Sequence, residues 1–258
     1  MDSFYEFEQN FNTTKSHQWM ADNWHNSVYL SIVYICLISV TKFQMQNRKA
    51  FEINRYLFAW NAVLTIFSTI GTIRAIAEVR YVLANHGMVA SVCSQAYHTR
   101  GSGLWALLFS LSKVLELLDT MFLVLRKKPV IFLHWYHHVT VLMFCWYSYS
   151  LNASTGRWFT LVNYTIHSFM YAYYAAQAIG VRVPSKLSKT ITIAQIFQMV
   201  FGVFINLVSL VLRATTHKSC GVQYQYTAVS LTLYSTYFYL FHQFFKNRYN
   251  KTKAIKQK

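Results

Sequence analysis

Seven long apolar stretches follow one another along the chain, at 27–42, 57–79, 103–125, 130–150, 157–179, 189–213 and 224–245. A helix needs about 20 mostly apolar residues to cross the hydrocarbon core of a bilayer, and only the first window falls short. Of the 258 residues 12% are charged, about half the share usual in a soluble domain. Two prolines and eight glycines are too few for a disordered, collagen-like or turn-rich β chain. The expectation is an all-α integral membrane protein: one domain over residues 1–258 with seven transmembrane helices. Residues 1–26 are acidic, aromatic and polar, without the basic start and apolar core of a cleavable signal, so the first stretch is expected to stay.

Net charge is +16, from 24 Lys and Arg against 8 Asp and Glu. In a soluble protein that surplus would point to nucleic acid. Here the basic residues sit in short clusters between apolar runs, so topology explains them and no nucleic-acid partner is expected. Sixteen fall on one side: Lys42, Arg48, Lys49 and Arg55; Arg126, Lys127 and Lys128; Arg182, Lys186 and Lys189; and the tail from Lys246 to Lys258. Six fall on the other: Lys15, Arg80, Arg100, Arg157, Arg213 and Lys218. Positive charge stays cytosolic, which puts the basic tail 246–258 in the cytosol and residues 1–26 across the membrane in a lumen. Seven crossings agree with opposite termini.

This topology sorts the cysteines and sequons. Cys36 and Cys145 fall inside spans, where a thiol packs as a small apolar group. Cys93 and Cys220 fall in non-cytosolic connections, where an oxidising lumen permits a disulfide. Asn12-Thr-Thr lies in the same compartment and is a candidate for glycosylation.

Ionisable residues inside a span cost roughly 2.5–3.5 kcal/mol each on insertion scales and are functional candidates by default. The third span carries Lys113, Glu116, Asp119 and Thr120 at offsets that share one helical face; an internal Lys–carboxylate bridge with no chemical role would use the same residues. The fourth carries His134, His137 and His138 at i, i+3 and i+4 near its cytosolic end. A lone histidine there is usually a satisfied core residue, whereas three on one face inside a membrane helix rarely lack a function. The fifth carries Asn163, His167 and Tyr171, with Met170 and Tyr174 alongside. The sixth carries Thr192, Gln195 and Gln198, where glutamine also serves simply to bond helices together. Alternating helix direction brings these four faces to the cytosolic half of a single cavity.

Clustered imidazoles act as metal ligands, general bases or nucleophiles. A di-iron centre like that of membrane desaturases and hydroxylases uses about eight histidines in three boxes. Of the 10 histidines here, only His134, His137, His138, His167 and His242 can converge. A lipid transporter is a further alternative, but the chain shows no internal repeat, and Pro129 and Pro184 lie at span ends rather than inside a broken helix.

Taken in order, Lys113-x-x-Glu116-x-x-Asp119-Thr120, His134-x-x-His137-His138, Asn163-x-x-x-His167-x-x-Met170-Tyr171 and Thr192-x-x-Gln195-x-x-Gln198 resemble the motifs of the ELO family, the very-long-chain fatty acid elongases or 3-ketoacyl-CoA synthases. The box flanks, Phe132-Leu133-His134-Trp135-Tyr136, look more like the branch that acts on saturated and monounsaturated chains. The resemblance implies an endoplasmic reticulum enzyme in which six helices form an inverted barrel around an acyl tunnel, with the first helix outside. Its implied reaction condenses a long-chain acyl-CoA with malonyl-CoA, giving 3-ketoacyl-CoA, CO2 and CoA, with no metal or other cofactor. The reductases and dehydratase of the elongation cycle are implied partners, and a homodimer is allowed.

By the same resemblance His137 is the nucleophile, with His167 facing it. His134 and His138 set its tautomer, and Asn163 or His167 stabilises the oxyanion. Lys113, Glu116, Asp119, Thr120, Tyr171, Gln195 and Gln198 form a supporting polar network. Arg126, Lys127, Lys128, Arg182 and Lys186 are candidates for the phosphates of CoA, although topology alone accounts for them. Chain length is expected to be set at the luminal end, around Phe204–Leu210 and Tyr226–Leu233. The tail Lys253-Ala-Ile-Lys256-Gln-Lys258 does not form a dilysine retrieval signal, so reticulum location rests on the resemblance.

Overall fold

A computed structural model describes residues 6–8, 10–99, 101–215 and 220–250. Arg100, Lys218 and the tail lysines 251, 253, 256 and 258 lie outside the described residues. Among those described, regular structure is helical: α1 Thr13–Asn23, α2 Asn26–Gln44, α3 Asn54–Cys93, α4 Ser102–Leu115, α5 Leu118–Leu125, α6 Phe132–Ser150, α7 Gly156–Ala178, α8 Ser185–Thr215 and α9 Tyr224–Phe245, ending in a π turn Lys246–Asn250. Each of the seven apolar windows falls on helix. Both prolines stand just ahead of a helix, Pro129 before α6 and Pro184 before α8, where a missing N–H costs nothing. Helix α1 opens on Asn12, whose side chain accepts from the Lys15 amide at 3.0 Å, a standard N-cap.

Two windows differ from the expectation in detail. The second continues to Cys93, interrupted at Gly87, where φ is 80°; only glycine enters that region without strain. The third is broken at Glu116–Leu117 into α4 and α5. There the amides of Leu117, Asp119 and Thr120 bond to the carbonyls three residues back, Val114, Glu116 and Leu117. Such a tightened turn advances each residue by more than the α-helical angle. Lys113, Glu116 and Asp119 still face one neighbour, meeting Asn163, His167 and Tyr171 of α7 in turn, whereas Thr120 turns to His134 and Tyr34.

The packed neighbours run α4, α6, α9, α8, α7, α3 and back to α4, the α3–α7 pair being the most extensive. Helix α2 packs on α5 and α6. Close approach is set by small residues: a Cβ on Gly202 would overlap the Tyr234 ring, and one on Gly71 would lie 2.5 Å from Tyr164. Both rings are buried. Outward-facing residues are strongly apolar, among them Ile32, Leu37, Ile66, Ile73, Phe204 and Val211. Three helices, α2, α3 and α8, are long and apolar enough to cross a membrane. So wide an exposed apolar surface would be a liability in water; it fits a lipid surround.

At one end, Cys93 of α3 and Cys220 ahead of α9 form a disulfide. The Gly221 amide donates to Cys93 O at 2.9 Å, and Ser154 Oγ donates to Val92 O at 2.6 Å, so α3, the α6–α7 turn and the start of α9 meet here. The opposite end carries Arg126, Lys127 and Lys128. A covalent link between positions this far apart in sequence typically stabilises by about 2–4 kcal/mol. Thermal unfolding in detergent should show a lower midpoint for Cys93→Ser with Cys220→Ser, and reductant should lower wild type to the same value. A midpoint unmoved by both would show that this end holds without the bridge.

Candidate functional site

A cavity runs beside α6, because residues from both ends of that helix line it: His137 near its start, and Ser148 and Tyr149 near its finish. Its middle is apolar, with Phe109, Val141, Phe144, Met199 and Tyr234. Tyr149 stands twelve positions after His137, which is about 18 Å at the helical rise.

The box histidines diverge within this frame. His137 lines the cavity, its ring 5.1 Å from that of Tyr237 and 5.8 Å from that of His138. The Tyr237 hydroxyl is held by Thr140 Oγ1 at 2.6 Å. His138 is buried, 4.5 Å ring to ring from His134, and lies behind the cavity wall. His134 Nε2 meets Thr120 Oγ1 at 2.9 Å, and Thr120 Oγ1 meets the Tyr34 hydroxyl at 2.6 Å.

Opposite lies a buried charge network. Lys113 Nζ donates to Glu116 Oε1 at 2.7 Å and to Asn163 Oδ1 at 3.1 Å, and sits 4.2 Å over the Phe109 ring. Ser112 Oγ donates to the same carboxylate oxygen at 3.0 Å. With Asn163 Oδ1 accepting from lysine, its Nδ2 donates to His167 Nε2 at 3.2 Å. An imidazole that accepts at Nε2 carries its proton on Nδ1, and here that nitrogen faces Glu116 Oε2 at 3.8 Å. The tautomer of His167 is thus set by Lys113 through one asparagine. Asn163 lines the cavity, and His167 stands behind it.

Beyond the break Asp119 continues this row along α7, and Thr120 leaves it. Asp119 accepts from Trp60 Nε1 at 2.7 Å and from the Tyr171 hydroxyl at 2.8 Å, while Thr120 serves His134. On α8, Gln198 lines the cavity, whereas Gln195 points its amide at Met170 Sδ, 3.3 Å away. None of Arg126, Lys127, Lys128, Arg182 and Lys186 lines the cavity; Lys127 Nζ donates to Gln46 O at 3.1 Å. Of Phe204–Leu210 and Tyr226–Leu233, where chain length is expected to be set, Leu233 lines the cavity, and Phe204 faces outward. The far end is lined by Tyr97, Tyr149, Asn152, Arg157 and Glu78. Among the described residues no three His, Cys, Asp or Glu side chains gather closely enough to hold a metal ion.

Over residues 19–257 the sequence matches the family described as ELO: GNS1/SUR4 family. The chain belongs to the ELO family. This ELO chain is 42% identical over 255 residues to "Very long chain fatty acid elongase 6" of Gallus gallus, covering 98% of this chain and 96% of that one. It is 41% identical over 246 residues to the protein of the same name in Homo sapiens, covering 95% and 92%. With that in Drosophila melanogaster it shares 40% over 248 residues, covering 95% and 78%. Family membership decides against the di-iron and transporter alternatives.

Sequence reasoning missed Tyr34, Trp60, Ser112 and Tyr237, the polar partners of this ELO chain's recognised motifs. The only signal for them was a hydroxyl or indole inside an apolar window. Removing one partner of a buried ion pair costs about 3–5 kcal/mol, because the other charge is left uncompensated. Lys113→Met should therefore destabilise strongly, and adding Glu116→Leu should recover most of the loss in a thermal or denaturant cycle. Two losses that simply add would contradict a coupled pair.

Proposed function

We propose that this membrane fatty acid elongase condenses a long-chain saturated or monounsaturated acyl-CoA with malonyl-CoA through an acyl group carried on His137. A neutral imidazole nitrogen of His137 attacks the thioester carbonyl, the C–S bond breaks, and CoA departs as the thiol with the imidazole proton. Splitting the reaction at an acyl-imidazole replaces one hard step by two easier ones. Malonyl-CoA then loses CO2, and its enolate carbon forms the new C–C bond as the C–N bond to His137 breaks, the departing imidazolate taking up a proton from water. The products are 3-ketoacyl-CoA, CO2, CoA and the regenerated histidine, and no metal or cofactor enters. One observation carries the assignment: of the three box histidines and His167, His137 alone lines the apolar cavity.

Other roles follow from the neighbours. His134 and His138 orient the His137 ring. Asn163, also on the cavity wall, donates to the oxyanion, which is the strongest form of help available to such a reaction. His167, Lys113 and Glu116 hold Asn163, while Asp119, Thr120, Tyr171, Gln195 and Gln198 fix the surrounding helices. The six helices whose contacts close on one another form an inverted barrel, α2 lies outside it, and the whole chain is one domain with seven spans. The end bearing Arg126, Lys127 and Lys128 faces the cytosol, where these residues with Arg182 and Lys186 attract the phosphates of CoA. Arg126 also caps the C-terminus of α5, where a cation is favoured without any ligand. The disulfide end and Asn12, a glycosylation acceptor, face the lumen of the endoplasmic reticulum. A reductase and a dehydratase act on the product, and the chain can pair as a homodimer.

Purified protein given malonyl-CoA and a saturated acyl-CoA of 16 carbons should yield a 3-ketoacyl-CoA two carbons longer by mass spectrometry. The yield should survive a chelator and fall by at least about 10³-fold in His137→Ala. A fully active His137→Ala, or activity that tracks bound iron, would refute the assignment.

A further inference from the structure

The N-terminal segment ahead of α2 is stitched to the far end of the cavity at two separate places. At the first, the buried Glu8 carboxylate accepts from Trp105 Nε1 at 2.7 Å and from Arg74 Nη2 at 2.5 Å, and Trp105 lines the cavity. At the second, on α1, Ser16 Oγ meets the Tyr149 hydroxyl at 2.7 Å, and His17 Nδ1 donates to Tyr149 O at 2.8 Å. The His17 ring lies 4.2 Å from the Tyr149 ring and 6.1 Å from the Tyr97 ring, near-parallel to Tyr97 at 10°. Tyr97 and Tyr149 are cavity-lining residues. Burial lowers the His17 pKa from its usual 6.5, against the pull of its bond to Tyr149 O, which suits a ring packed as a flat neutral surface.

The connection that carries Tyr97 is itself fixed. Glu78 accepts from the amides of His98 and Thr99 and from Thr99 Oγ1 at 2.8 Å, and pairs with Arg157 at 3.3 Å. Arg157 donates onward to the carbonyls of Ser91, Ser94 and Ala96. Both charged groups are buried and fully engaged with backbone. An alkyl chain end gains nothing by displacing them, since each freed group would lose its hydrogen bonds inside an apolar site.

We propose that the N-terminal segment, through His17 packed on Tyr97 and Tyr149, is the end wall of the acyl site and determines the longest acyl chain the enzyme accepts. This rests on the elongase reading above. The distance from His137 to Tyr149 along α6, about 18 Å, holds about 14 carbons of an extended chain at about 1.25 Å per carbon, the advance of a zigzag of 1.52 Å bonds. That depth fits an acyl group of about 16 carbons, its first carbons lying at the reacting histidine.

The test measures kcat/KM for acyl-CoA substrates of 14, 16, 18 and 20 carbons with malonyl-CoA, in wild type, His17→Ala, Tyr97→Ala and Ala75→Phe. Ala75 lines the cavity one helical turn before Glu78, so phenylalanine there shortens the site. His17→Ala and Tyr97→Ala should raise the 20:16 ratio by about tenfold or more, the scale of discrimination that one or two methylenes provide. Ala75→Phe should move the preference towards 14 carbons. Should Tyr97→Ala fail to fold, His17→Ala and Ala75→Phe decide the matter. Unmoved ratios in active variants overturn the end wall while leaving the elongase reading intact. A wild type that condenses no acyl-CoA of any length overturns both.

Discussion

An ammonium group sealed inside an apolar bundle has few tolerable positions, and Lys113 shows what satisfying one demands. It is 2% exposed, and the low-dielectric surround makes its pairing with Glu116 essential rather than decorative. That pairing uses one carboxylate oxygen, shared with Ser112, and leaves the other directed at His167. The second hydrogen bond of the ammonium goes to Asn163 on α7, which joins α4 to α7 and assigns donor and acceptor to each atom of the asparagine. From one buried cation follow the tie between α4 and α7 and the tautomer of His167.

The bundle reverses the usual distribution of polarity. Apolar side chains of α2, α3 and α8 face outward, while the charged and amide groups turn inward around a cavity whose middle wall is aromatic and aliphatic. Within that cavity a single box imidazole is presented, and the others are withdrawn to hydrogen bonds and packing. Such an arrangement suits a long alkyl chain with one reactive end. The far end is lined by satisfied polar groups, since the Glu78–Arg157 pair is engaged by backbone carbonyls and amides.

Much of this was legible in the sequence, and the failures have physical causes. Helix positions followed from apolar runs free of internal proline, and the motif residues from the expense of charge in such runs. The departure of Thr120 from the face shared by Lys113, Glu116 and Asp119 was not visible, because residue spacing assumes an unbroken 3.6-residue period and the turn at Glu116 tightens it. Tyr34 and Trp60 were missed because their role exists only across helices, in bonds to Thr120 and Asp119. Phe204 was counted towards a chain stop although it faces outward, because apolar residues that face lipid and apolar residues that face a cavity read alike. Nothing in the pattern announced that a segment outside the spans, with His17, would pack on the end of the site.

The most direct measurement is of the bond itself. Purified wild-type protein is incubated with a 16-carbon acyl-CoA alone, quenched, digested and mapped by mass spectrometry. The expected result is an acyl mass on the peptide containing His137, with one equivalent of CoA released, and its disappearance when malonyl-CoA is added before quenching. An acyl mass on another residue that is likewise consumed by malonyl-CoA would contradict His137 as the nucleophile.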